Sequence, residues 1–409
     1  MAGFDPGAAP SAVQACPDKA SGPNSCCGAK AADDQLLRAV RQRRQSLLSK
    51  PRTGMNACQD VADGIGKDAD TMEHYSKALP AARAALDVNQ LGDANTAPIN
   101  SPCLRRMPMS AVQLNKALGI PPNSPGAITD EQLLNPRTGF RAVLYQSESD
   151  GRYILVSRDT EPHSLVDWKT NVDNGLGQDT EQYAAMRDLT RQLVQDKVPF
   201  DLGGYSKGGG LAQEAGLVSS NSNVYVFNSA GLNSASLGPE RAGQPSFDSL
   251  ASRTSSFSAQ GDFLTYMNTT TDPDLQIRNG EFLRRQLGGW TPVGVANPIA
   301  VTYSNPATQG HSDPGFAQGR TALLKQLDGL IADRRANPNG PSMFPPVRAG
   351  TQTTIPNSMS TLGANLGGWN NEANFGKLVQ HKMDNVVGPM QNEVDRERDI
   401  LRRFLARCG

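Results

Sequence analysis

The sequence of 409 residues predicts an α/β fold built on a mostly parallel sheet, and three observations carry that reading. Short runs rich in β-branched and aromatic residues begin near Gly139, helical stretches alternate with them, and helical patterning without strands flanks them on both sides. Strands that alternate with helices pair in parallel through crossover connections, so the alternation points to one layered α/β unit.

The elements follow in order. Residues 1–30, rich in Gly, Pro, Ala and Ser with few large apolar side chains, are expected to form an irregular or disordered arm. Residues 31–135 are expected to be an N-terminal helical region. Its first helix runs from Asp33, with Leu36, Leu37, Val40, Leu47 and Leu48 at helical spacing, and its second from Asp60 to about Leu91. Residues 136–335 form the expected catalytic domain. FRAVLYQ from Phe140 and RYILVSR from Arg152 are strands joined through Ser149-Asp150-Gly151, where Asp-Gly signals a hairpin. A helix from Tyr183 to Gln195, the strand VPFDLGGY, a helix from Gly209 and the strands NVYVFNSAG and RTSSFSA come next, with PIAVTYS from Pro298 as the last strand. Residues 336–409 are expected to be a C-terminal helical extension, whose stripe of Val394, Leu401, Phe404, Leu405 and Cys408 packs onto the core.

Composition excludes several classes. With 40 basic and 40 acidic residues the net charge is zero, so nothing recommends nucleic acid or an anionic membrane surface as a partner. No run approaches the roughly 18 apolar residues of a transmembrane helix. The N-terminus has neither a basic start nor an apolar segment, so no secretory signal peptide is expected and the chain reads as cytoplasmic in the producing cell. The six cysteines, Cys16, Cys26, Cys27, Cys58, Cys103 and Cys408, avoid the central region and fit no common zinc spacing. No metal site and no cofactor are expected. Free thiols and disulfides that tie the termini down are both compatible with this spacing.

The chemistry gathers around DLGGYSKGGGLAQEAG, residues 201–216. Gly204-Tyr205-Ser206-Lys207-Gly208 fits G-x-S-x-G, the pattern of a sharp strand-to-helix turn that lifts a serine hydroxyl out of the backbone, and the flanking strand and helix supply the context the pattern needs. A serine becomes nucleophilic only when a base takes its proton, and the base is oriented by a carboxylate. In hydrolases built this way the chain order is serine, carboxylate, histidine. Of the four histidines, His74 and His163 precede Ser206, which leaves His311, in a loop after an expected strand, as the base and His381, inside an expected helix, as the alternative. Asp262, directly after RTSSFSA, is the expected carboxylate, with Asp248 as the runner-up and a helix cap as the other explanation of Asp262. The backbone N–H of Lys207 and a group near Arg158-Asp159-Thr160 would hold the oxyanion.

These residues resemble the class 3 lipases and related bacterial lipase-like proteins. YILVSRDT is similar to that family's strand ending in Arg-Gly-Thr, VDWKTNV to its Asp-Trp segment, GYSKGGGLA to its nucleophile motif and NVYVFNSAG to the strand that follows. The resemblance covers about residues 139–315. It implies an α/β-hydrolase fold with helices on both faces of the sheet, to which the patterning adds helical appendages at both termini. It also implies a Ser206-Asp262-His311 triad, an oxyanion hole of Thr160 and Lys207, and a lipid or phospholipid substrate. Asp159 stands where the family has glycine, and Tyr205 replaces the histidine before the serine. The helical flanks look like those of antibacterial lipase effectors delivered by type VI secretion into a target-cell periplasm, which would add an immunity protein or a secretion-apparatus component as partners. A hydrolase-like scaffold that binds a partner without catalysis, and a hydrolase of soluble esters, are the competing readings. The stretch from 161 to 182 mixes Leu165, Val166, Trp168, Val172 and Leu176 with charges between Thr160 and the next helix; in the resembling lipases a lid occupies this region, and a fixed surface loop with Trp168 packed into the core is the competing reading.

Overall fold

The computed structural model describes residues 26–51, 56–91, 103–122, 124–159, 170, 174, 179–232, 247–259, 262, 265, 272–288, 314–340, 343, 350–355 and 384–409. Eight strands among them form one mixed, mostly parallel sheet. They are β1 (Leu104–Arg106), β2 (Leu134–Asn135), β3 (Phe140–Ser147), β4 (Tyr153–Ser157), β5 (Phe200–Tyr205), β6 (Val224–Phe227), β7 (Thr254–Ala259) and β8 (Thr351–Ile355). The order across the sheet is β1-β3-β4-β5-β6-β7-β8, with β2 added beside β3. β3 and β4 are an antiparallel hairpin, and β4 through β8 run parallel. The hairpin turn is the expected one: Gly151 takes φ 71°, and its N–H reaches the Ser147 carbonyl at 2.7 Å.

Side-chain alternation divides the sheet into two apolar faces. Val143, Tyr145, Ile154, Val156, Phe227 and Phe257 point to one core, whereas Ala142, Leu144, Leu155, Leu202, Val224 and Val226 point to the other. The first face is covered by α2 (Ala57–Gln90) and the long C-terminal helix, in which Val394, Leu401, Phe404 and Cys408 are buried as their spacing predicts, and α1 (Cys26–Leu48) packs on both helices. α2 lies directly on the sheet. Its buried face is rich in alanine, and Ala81 approaches so closely that a Cβ on Gly203 of β5 would sit 3.3 Å from the alanine methyl. Small side chains on both elements let helix and sheet meet at short range. The second face is covered by α3 (Ala111–Leu118), α5 (Glu181–Gln195) and α6 (Lys207–Gly216), with the single turn α4 (Asp130–Leu133) between the first two in sequence. Beyond α6 come α7 (Phe247–Ser252), α8 (Pro273–Gly288), α9 (Pro314–Ala336) and α10 (Asp384–Cys408), the last being the helix on the first face.

One polar cluster and a disulfide fix these layers. Arg106 of β1 grips Asp87 of α2 through two bonds of 2.8 Å, and the Tyr145 hydroxyl donates to the same carboxylate at 2.7 Å. Burial and the neighbouring Asp87 carboxylate push the Tyr145 phenol well above its ordinary value, so it stays a donor. A disulfide joins Cys58 at the start of α2 to Cys408 at the end of α10, and Cys103 is also disulfide-bonded. Among the described residues no cysteine is free.

Both edges differ from expectation. β1 at one edge, and β2 beside β3, lie inside residues 31–135, read as helical, and β8, TQTTI, at the other edge lies inside residues 336–409, read the same way, while the expected strand from Pro298 lies outside the described residues. Helix α1 begins at Cys26, inside the arm read as irregular. β8 carries Thr and Gln on an edge where only Ile355 is buried, so it lacks the apolar alternation that marks a strand in sequence.

Candidate functional site

The carboxyl ends of the parallel strands gather the candidate groups, the end at which open α/β sheets bind their ligands. β5 ends at Tyr205, paired with Phe227 of β6, which is paired in turn with Phe257 of β7. Ser206 therefore sits just past the end of β5, and Asp262 just past the end of β7, two strands away. Asp159 follows the end of β4, the neighbour of β5 on the other side.

Ser206 is the turn between β5 and α6, with φ 53° and ψ −121°. A non-glycine residue rarely adopts that backbone, and it persists only where its surroundings hold it. Here they do. The Ser206 N–H donates to the Phe227 carbonyl at 3.0 Å, and the Ser206 carbonyl accepts from Gly209, Gly210 and Ala230 at 3.1, 3.3 and 2.9 Å. The flanking glycines are required by contact. A Cβ on Gly204 would run into the carbonyl of Gly208, and one on Gly208 would lie 2.6 Å from the Ser157 carbonyl oxygen. The Ser206 side chain makes no cap bond to α6, so helix capping does not consume it.

Behind the serine, α6 is buried along its whole length. Its Glu214, with no exposed surface, is paired with Arg187 of α5 at 2.7 Å, and Arg187 also grips Asp179 at 2.6 and 3.0 Å. Buried charges survive only when paired, and this pair locks α5 against the helix that carries the serine turn.

Lys207 is the first residue of α6 and is itself buried, 2 % exposed. Its backbone N–H donates to Asp159 Oδ1 at 3.0 Å. The Asp159 N–H in turn donates to Asn89 Oδ1, near the end of α2, at 2.7 Å. The group expected to hold an oxyanion is thus engaged by the residue that replaces the lipase glycine. Sequence reasoning marked Asp159 as a departure but missed Asn89, which stands 70 residues away along the chain and belongs to no local motif.

Asp262 is 2 % exposed, and its Oδ2 accepts from the N–H and the hydroxyl of Thr265, both at 2.6 Å. That is the geometry of a helix cap, and it also fixes the orientation of the carboxylate at the strand end. The runner-up Asp248 lies within α7. Thr160, His311 and His381 lie outside the described residues, as does most of the expected lid, in which only Thr170 and Asn174 are described before residue 179. Asn174 is buried and donates to the Gly231 carbonyl at 3.2 Å. Among the described residues no three His, Cys, Asp or Glu side chains gather as a metal site, and no helix is long and apolar enough to cross a membrane.

Residues 123–301 match a family model described as a phospholipase-like, Tle-like phospholipase domain. No curated protein matches the chain. The matched span runs from before β2 to beyond β7 and includes Thr160, Ser206, Lys207 and Asp262, while His311 falls after it. The match supports a lipase-like phospholipase effector, in agreement with the resemblance carried by the strand and elbow motifs.

Proposed function

We propose that this chain is a serine esterase that cleaves the carboxylic esters of phospholipids, a phospholipase A-type activity used as an antibacterial effector. The observation that carries the reading is Ser206, held at φ 53° between a central parallel strand and a buried helix, inside the span that matches the phospholipase model.

In this reading Ser206 Oγ attacks the acyl carbonyl carbon while His311 accepts the hydroxyl proton, and Asp262 orients the imidazole and stabilises its cation. The carbonyl oxygen becomes an oxyanion, held by the N–H of Lys207 and by Thr160. Collapse expels the lysophospholipid alkoxide, which takes the proton from His311. Water then attacks the acyl-enzyme with His311 as base, releasing the fatty acid and restoring Ser206. No step needs a cofactor. The disulfide state supports a destination such as a periplasm, because disulfides persist in oxidising compartments. Delivery by type VI secretion and an immunity partner belong to the same reading.

The test is product analysis by mass spectrometry after incubation with vesicles of phosphatidylethanolamine and phosphatidylglycerol. Free fatty acid and lysophospholipid should appear in equal amounts. Both should vanish in Ser206→Ala and fall nearly as far in His311→Ala, with the double variant scarcely worse, because triad members act as a unit. His381→Ala should leave the products unchanged. A folded Ser206→Ala protein that still releases fatty acid would falsify the proposal.

A further inference from the structure

We propose that Asp159 is a latch on the oxyanion site, occupying the Lys207 N–H that the reaction needs, so that hydrolysis starts only when this carboxylate withdraws. The inference rests on reading Ser206 as the nucleophile and adds a regulatory element to that site.

Three observations converge on it. Asp159 Oδ1 accepts from the Lys207 N–H at 3.0 Å, the donor that follows the strained serine and is the one aimed at a tetrahedral intermediate in this type of turn. The backbone of Asp159 is anchored from the opposite side of the sheet, where its N–H donates to Asn89 Oδ1 at 2.7 Å. Asn89 lies two residues after Asp87, which Arg106 and Tyr145 fix to β1 and β3, so the anchor stands on an immobilised helix end.

Chemistry decides what this contact does. A carboxylate makes a charge-assisted bond about twice as strong as the bond a neutral ester carbonyl would make to the same N–H. A bound ester therefore does not displace Asp159 in the ground state. The negative charge also stands where the oxyanion must grow, and like charges in a site with little water repel. The competing explanation is purely structural. Asp159 would then serve as a cap for α6, since a carboxylate at a helix N-terminus is favourable and Ser206 makes no side-chain cap bond there. The two explanations predict opposite changes in reactivity.

The experiment compares the full chain, disulfides intact, with Asp159→Gly, Asp159→Asn and Asn89→Ala. Reactivity is read as the rate of Ser206 labelling by a fluorophosphonate and as the inhibition constant of an alkylboronic acid, whose adduct places an oxygen in the oxyanion site. Stability is read from urea midpoints. The latch predicts that Asp159→Gly labels about tenfold faster and binds the boronate tighter, even as its urea midpoint falls with the lost cap. Asp159→Asn, neutral and nearly isosteric, should label faster than wild type without the added freedom of glycine. Asn89→Ala should move in the same direction by less. Slower or unchanged labelling in the folded Asp159 variants, with the wild type reactive, would overturn the latch and leave the cap. Folded proteins of which none labels would overturn the nucleophile and the latch together.

Discussion

Replacing Ser206 by glycine and by alanine separates strain from chemistry. Both variants lose the hydroxyl and should be inactive, so the comparison reads the backbone alone. At φ 53° and ψ −121° alanine keeps the unfavourable geometry of serine, while glycine adopts it freely. Relief of a residue held in such a region is worth about 1–3 kcal/mol. Glycine gives back about 0.4–1 kcal/mol through the larger entropy of its unfolded chain. The difference leaves Ser206→Gly more stable than Ser206→Ala by about 1.3 kcal/mol at the middle of the two ranges, and by no more than about 2.6 kcal/mol, with Ser206→Ala close to wild type. Urea unfolding followed by circular dichroism, with disulfides intact and the slopes shared, converts midpoints into that difference. An alanine variant more stable than the glycine variant would refute the strained turn and with it the main structural support for Ser206 as nucleophile.

Two further expectations test the scaffold. Arg187→Met strands the Glu214 carboxylate, which has no exposed surface, and should cost about 3–5 kcal/mol, while the double variant with Glu214→Leu should recover most of the loss, as measured by urea midpoints. His74 stacks on Phe257 and meets the Thr353 hydroxyl at 3.1 Å, and burial, with a smaller effect of Lys77, pushes its imidazole below the ordinary 6.5. The folded value is depressed, so the unfolded chain binds the proton more readily. The stability this burial contributes is therefore present above pH 6.5 and falls as pH drops below it. His74→Gln should flatten that pH dependence between 7.5 and 5.5, and an unchanged slope would show that other groups set it.

Much of the fold was legible because its signals are local. The Asp-Gly hairpin, the G-x-S-x-G elbow and the buried strands each announce themselves within a few residues through turn chemistry or continuous apolar runs. β8 did not, because an exposed edge strand made of Thr and Gln has no apolar face to display. α2 was legible as a helix, but its place on the sheet was not. An alanine-rich face gives little hydrophobic contrast, yet small side chains are what let Ala81 lie against Gly203. At the site the same division holds, since Ser206 is marked by its own neighbours whereas the contact of Asn89 with Asp159 spans 70 residues and carries no pattern.

That contact changes how the N-terminal helices bear on function. The last turn of α2 places Asp87 against β1 and β3 and Asn89 against Asp159, two residues past the end of β4. A helix held at one end by a disulfide to α10 and at the other by a buried ion pair is poorly able to drift from the sheet. A motion that shifts this helix end while the Asn89–Asp159 bond holds pulls Asp159 away from Lys207. The segment that looks accessory in sequence is therefore mechanically coupled to the donor beside the serine. Changes at Asp87 or Arg106, far from Ser206 in the chain, should alter its labelling rate through Asp159 rather than only through stability. Arg106→Lys, which keeps the charge but loses the bidentate grip on Asp87, is the mildest perturbation of that coupling.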